Sequence, residues 1–160
     1  MKIAKMLLVP MIACVLAAPA SAQGVAAPTA APAAAPAAAK PAAPKMKLLL
    51  HVTQGPENPT RAALAFLVAR TAVEEGNTVT IFLAGDAVQL VRDPVLDNLA
   101  GLGTGKLREH YDAIVKGGGK IYLSGNSSKA RGITDADTQG KPVEMAGPSV
   151  LLKLAAESDR

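Results

Sequence analysis

The sequence predicts an α/β domain: a three-layer, open, mainly parallel sheet of four or five strands. Three observations carry this. Residues 46–53, MKLLLHVT, are a continuous apolar run of the type found in parallel strands covered on both faces. A helical stretch and a second strand-like run follow at the spacing of a right-handed βαβ unit. Strand-like and helix-like segments then keep alternating to the end of the chain, the order of an open sheet with helices packed on it.

Each element has its own local cause. After the first strand, Gln54-Gly-Pro-Glu-Asn58 is a loop. Asn58 caps the next helix, and Pro59 stands where its missing N–H costs nothing. This helix is expected to run to about Glu75, where Gly76-Asn77 ends it. Residues 78–84, TVTIFLA, form the second strand, and Gly85-Asp86 opens the next helix. The link 86–118 is expected to be helical, divided at Pro94 and by a flexible break at Gly101, Gly103 and Gly105. Leu107, His110, Tyr111, Ile114 and Val115 fall on one face of a helix. Asp112 and Lys116 make an i,i+4 pair on its outer side. Gly117-Gly118-Gly119 stops it. Residues 120–124, KIYLS, are the third strand, followed by an expected loop from Gly125 to Lys141. Val143–Ala146 is a short fourth strand, and Pro148 to about Glu157 a last helix.

Composition bounds the function. The 160 residues fall into a signal-like stretch at 1–22, an Ala/Pro-rich linker at 23–45 and a folded domain at 46–160. The only aromatics are Phe66, Phe82, Tyr111 and Tyr122, so the core rests on aliphatic residues and a base-stacking platform is excluded. The chain has 17 Lys+Arg against 13 Asp+Glu, a net +4. Four of those cations, Lys2, Lys5, Lys40 and Lys45, lie before residue 46, while every carboxylate lies after it. The domain is therefore neutral, and the basic excess does not point to nucleic acid.

The N-terminus has a basic start, an apolar run at 6–18 too short to span a bilayer, and Ala-Ser-Ala22 before Gln23. This is a signal-peptide pattern with cleavage expected after Ala22 and a periplasmic location. A competing pattern surrounds Cys14, the only cysteine. It follows Met-Ile-Ala, as in a bacterial lipobox, and lipidation there would anchor the chain to a membrane. With cleavage after Ala22 the mature protein has no thiol, hence no disulfide and no thiolate nucleophile. In the linker, Pro28, Pro32, Pro36, Pro41 and Pro44 prevent a helix, and an extended, disordered spacer is expected.

In an open α/β sheet the working edge lies at the carboxyl ends of the strands. Two loops should meet there. One carries Asn58 and the start of a helix, whose free N–H groups favour an anion. The other, Ser124-Gly-Asn-Ser-Ser-Lys-Ala-Arg-Gly132, offers hydroxyls, an amide and two cations. Turn and capping chemistry alone would account for Asn58, Gly125 and Asn126. His51 and His110 stand alone, without clustered carboxylates, and are expected to be packed or interfacial rather than metal ligands. Gly101-x-Gly-x-Gly105 does not follow a strand, so it is no dinucleotide loop.

The segments LLLHVTQGPENPTRA, VTIFLAGDAV and LREHYDAIVKGGGKIYLSGNSSKARGITD together resemble the DsrE/DsrF-like family of sulfur-relay proteins over about residues 46–158. The resemblance implies a flavodoxin-like fold and assembly into trimers or hexamers. Catalytic members carry persulfide on a cysteine at the end of the third strand, in contexts like C-G-x-C-x-x-A-R-G. Aligned on Ala130-Arg131-Gly132, those cysteine positions are Ser124 and Ser127. A hydroxyl cannot hold sulfane sulfur. The family also continues past the last helix into a closing strand, so the sheet is expected either to be one strand short or to have that edge covered by a partner.

The expectation is thus an exported, non-catalytic binding or assembly module without a cofactor. A small anion would bind among Asn58, Ser124, Asn126, Ser127 and Arg131. The first helix, apolar nearly all round at 62–69, would meet a second subunit. A sulfur carrier is the alternative, which would need Cys14. A flavin module is disfavoured because the loop after the first strand lacks a hydroxyl-rich phosphate pattern.

Overall fold

The structure, a computed structural model, describes residues 44–160. The signal peptide, Cys14 and the Ala/Pro-rich linker to residue 43 lie outside the described residues. Four strands, β1 (Lys47–Val52), β2 (Thr78–Leu83), β5 (Lys120–Ser124) and β6 (Val143–Ala146), form one sheet in the order β1-β2-β5-β6. Every pairing is parallel, with Lys47 opposite Thr78, Thr80 opposite Lys120 and Ser124 opposite Ala146.

Helix α1 (Pro59–Glu74) joins β1 to β2 and buries Ala62, Ala63, Phe66, Ala69 and Ala72. A 3-10 helix (Gly85–Val91) and α2 (Asp93–Asn98) follow β2, and Pro94 sits in the first turn of α2, where a missing N–H is tolerated. Helix α3 (Leu107–Lys116) buries Leu107, His110, Tyr111 and Ile114. These helices share one core with Val79, Ile81, Leu83, Ile121 and Leu123, the residues of β2 and β5 that point to one side of the sheet. Helices α1 and α3 approach so closely that a Cβ on Gly117 would collide with the Val73 Cγ1 methyl. The other side carries Lys47, Leu49, His51, Thr80, Phe82 and Tyr122 by the register, and α6 (Pro148–Glu157) lies over its amino-terminal part. No residue of α6 is buried.

Three expectations are corrected. The break at 100–106 is ordered. Strands β3 (Ala100–Gly101) and β4 (Gly105–Lys106) pair as a small antiparallel hairpin. Thr60 Oγ1 accepts the Leu102 N–H at 3.1 Å and ties the hairpin to α1. Secondly, the expected loop 125–141 holds two short helices, α4 (Gly125–Ala130) and α5 (Asp135–Thr138). Ser124 and Thr134, each a capping residue, start them. Thirdly, β1 is not a strand covered on both faces: Val52 alone is buried and His51 is exposed, its ring edge-on to Phe82 at 5.8 Å between centroids. The sheet has four strands among the described residues, as the one-strand-short alternative expects, and the last residues of this chain meet the outer edge of β1. Asp159 donates its N–H to the Lys47 carbonyl, and Leu49 donates to the Arg160 carbonyl, both at 2.9 Å. Asp159 Oδ2 also accepts the Lys47 N–H at 2.8 Å.

Candidate functional site at the carboxyl edge of the sheet

Parallel strands end on the same side, so the segments leaving β1, β2 and β5 are neighbours. Their contacts are tight. A Cβ on Gly55 would collide with the Asp86 carbonyl, which explains a glycine in the β1–α1 loop. Gly85 takes φ +57°, a region glycine enters without penalty. Its N–H donates to Ser127 Oγ at 3.0 Å, fastening the end of β2 to α4. Ser124 Oγ, in turn, accepts the Ser127 N–H at 3.4 Å and caps α4. Both hydroxyls are therefore in structural use.

Arg131 donates its Nε–H to Asp86 Oδ1 at 2.7 Å. That hydrogen bond holds the Asp86 carboxyl below the ordinary carboxylate range. The Arg131 carbonyl accepts from Arg92 at 2.8 Å, as does the Gly132 carbonyl at 2.9 Å, and Arg92 also faces Asp137 at 3.6 Å. Asn58 lies at the start of α1, where its Oδ1 accepts the Arg61 N–H at 3.3 Å. Asn126 is exposed. The structure thus gathers Ser124, Ser127 and Arg131 around the ends of β2 and β5, with Asn126 on the outer surface of α4. Asn58 belongs to the neighbouring β1–α1 loop and is engaged in its own cap.

Sequence reasoning missed two members. Asp86 was read as a helix opener and is the partner of Arg131. Ser128 is buried, and its hydroxyl has no hydrogen-bond partner among the described residues. Asp86 carried no distinctive spacing, because its contact with Arg131 joins segments 45 residues apart. Among the described residues, no three His, Cys, Asp or Glu stand together as a metal centre would require. His110 is buried in α3, with Nε2 2.7 Å from the Thr104 carbonyl. A carbonyl only accepts, so Nε2 carries the proton and the ring secures the β3–β4 hairpin.

A parallel sheet whose carboxyl edge carries the S-G-x-S-x-x-A-R-G segment matches the family model of the DsrE/DsrF-like family over residues 46–160. The chain belongs to the DsrE/DsrF-like family. It is a domain of the sulfur-relay-related type, with the α/β, flavodoxin-like fold of that family. The crystal structure of the ychN protein from E. coli is similar to it, with a TM-score of 0.57 and 15% identity, covering 72% of this chain and 95% of that one. At that identity the likeness concerns the fold alone. No curated protein matches the sequence.

Proposed function

We propose that this chain is an exported DsrE/DsrF-like domain that binds or assembles and does not transfer sulfur. One observation carries the reading. Ser124 and Ser127 stand where the resemblance puts the family's cysteines, and both hydroxyls serve as fixed acceptors within the fold. Export rests on the basic start, apolar run and Ala-Ser-Ala22 of the N-terminus. Cleavage there removes Cys14 and with it the only thiol.

The same reading includes self-association through α1. Leu64 and Val68, one turn apart, are 47% and 52% exposed, and Leu67 is half-buried beside them. Apolar side chains at that spacing form a stripe suited to a second copy. A small anion at the carboxyl edge would have to displace Asp86 from Arg131, which makes such binding weak.

The test is intact-mass spectrometry of mature protein after incubation with a polysulfide donor. The expected mass starts at Gln23, carries no lipid and gains no sulfur. A stable gain of one sulfur atom would overturn the non-catalytic reading. A lipidated N-terminus at Cys14 would overturn cleavage after Ala22.

A further inference from the structure

The sheet face away from α1 and α3 is only partly covered. Helix α6 crosses it without burying any of its own residues. Between α6 and the amino-terminal halves of β1, β2 and β5 lies a cleft of about 430 Å³. That is within the range of small-molecule sites, at its smaller end.

Its lining is of two kinds. Tyr122 and Leu154 form an apolar floor and wall. Lys47, Lys120 and Lys153 stand around them, with Glu157 the single carboxylate. The lining therefore carries a net charge of +2, although the domain as a whole is neutral. Lys153 faces Glu157 one turn along α6 at 3.9 Å. Among the described residues, neither Lys47 nor Lys120 has a carboxylate within ion-pair distance. The register brings these two together. Lys47 pairs with Thr78 and Lys120 with Thr80, so they flank β2 on the same face. Strand spacing and rise put their Cα atoms about 12 Å apart. Two flexible four-carbon stems close that gap around one anionic group.

We infer that the cleft beneath α6 binds a small amphiphilic anion, its apolar body on Tyr122 and Leu154 and its carboxylate or sulfonate between Lys47 and Lys120. Charge complementarity selects this occupant. A second copy of the chain would have to place a carboxylate over each lysine, and a purely apolar ligand would leave both ammonium groups beside it without a counter-charge. The site is at the opposite end of the strands from the Ser124–Arg131 segment and does not depend on the function proposed for that edge.

Decanoate is a suitable probe, followed by amide chemical shifts in the full chain. Saturable shifts are expected at Lys120, Tyr122, Val150 and Leu154, with residues 124–132 unmoved. Lys47→Gln together with Lys120→Gln should weaken decanoate about tenfold, as two exposed ion pairs would. 1-Decanol binding should be unchanged by the same substitutions. Added salt should weaken decanoate in the wild type far more than in the double variant. Equal decanoate affinity in wild type and double variant would overturn the inference. So would absence of binding at millimolar concentration, including absence because a second copy already covers the cleft.

Discussion

Arg131 and Asp86 are joined by a 2.7 Å hydrogen bond that links the segment after β5 to the segment after β2, 45 residues apart in sequence. The pair sits where the family's chemistry would be sought and neutralises the one guanidinium at the Ser124–Gly132 turn that could grip an oxyanion. Replacing Asp86 by Asn removes the competing carboxylate. Sulfate binding, followed by titration calorimetry, should strengthen several-fold in Asp86→Asn and vanish in Arg131→Ala. The wild type should show a pH dependence that Asp86→Asn lacks. The pair lowers the Asp86 pKa, so it is intact at neutral pH and is lost as pH falls below the ordinary carboxylate value of about 4 and through the lower folded value. Sulfate affinity in the wild type should therefore rise in that acid window. Unchanged affinity in Asp86→Asn at neutral pH would show that no anion uses Arg131.

Ser127 gives a second prediction. Its Oγ is the acceptor for the Gly85 N–H in a half-buried setting. Ser127→Ala leaves that donor without a partner and should lower unfolding stability by about 1 kcal/mol in urea titrations. Ser127→Cys, with a larger and weaker acceptor, should fall between the two. If Ser127→Ala is as stable as the wild type, the hydroxyl is not the fastener between β2 and α4.

Much of this was legible in the sequence, and the reasons are local. Asn58-Pro59, the apolar run TVTIFLA and the triple glycine at 117–119 each act within a few residues, and their elements appear where expected. The hairpin at 100–106 was not legible, because two-residue strands have no period and its anchor, Thr60, is 42 residues from Leu102. Helices α4 and α5 hid behind a polar composition that equally suits a loop. At the site, the loops and Arg131 could be named from the chain, but the role of Asp86 could not. A single aspartate after a strand reads as a helix opener until the fold sets an arginine against it.

The alkaline behaviour of Tyr111 follows from its burial. Its ring lies under Arg108, 6.0 Å from guanidinium carbon to centroid, and its hydroxyl is buried without a partner among the described residues. Burial pushes the phenol up to about 12. A raised folded value means that the stability contribution is complete below the unfolded value of about 10 and is lost as pH rises through 12. The loss should amount to about 2–3 kcal/mol. Urea midpoints between pH 9 and 12 should fall in the wild type and fall less in Tyr111→Phe. Parallel declines in the two proteins would remove Tyr111 as the cause.

The last prediction separates the two sides of α1. The sequence made residues 62–69 apolar nearly all round, and most of that surface is used by the chain's own core: Ala69 is fully buried and Ala65 is packed against it. The outward stripe is Leu64 and Val68, continuous through Leu67 with Met46 and Leu48 at the edge of the sheet. Glutamate at an outward position costs little in the monomer but places a charge in any interface formed there. Val68→Glu should therefore stay folded and dissociate an assembly made through α1, as sedimentation velocity at tens of micromolar would show. Ala69→Glu buries an unpaired charge against Phe66 and the sheet and should unfold the domain outright. Circular dichroism distinguishes the two losses. If the wild type sediments as a monomer at that concentration, or if Val68→Glu leaves the assembly intact, α1 is not the contact, and its exposed leucine and valine are ordinary apolar surface.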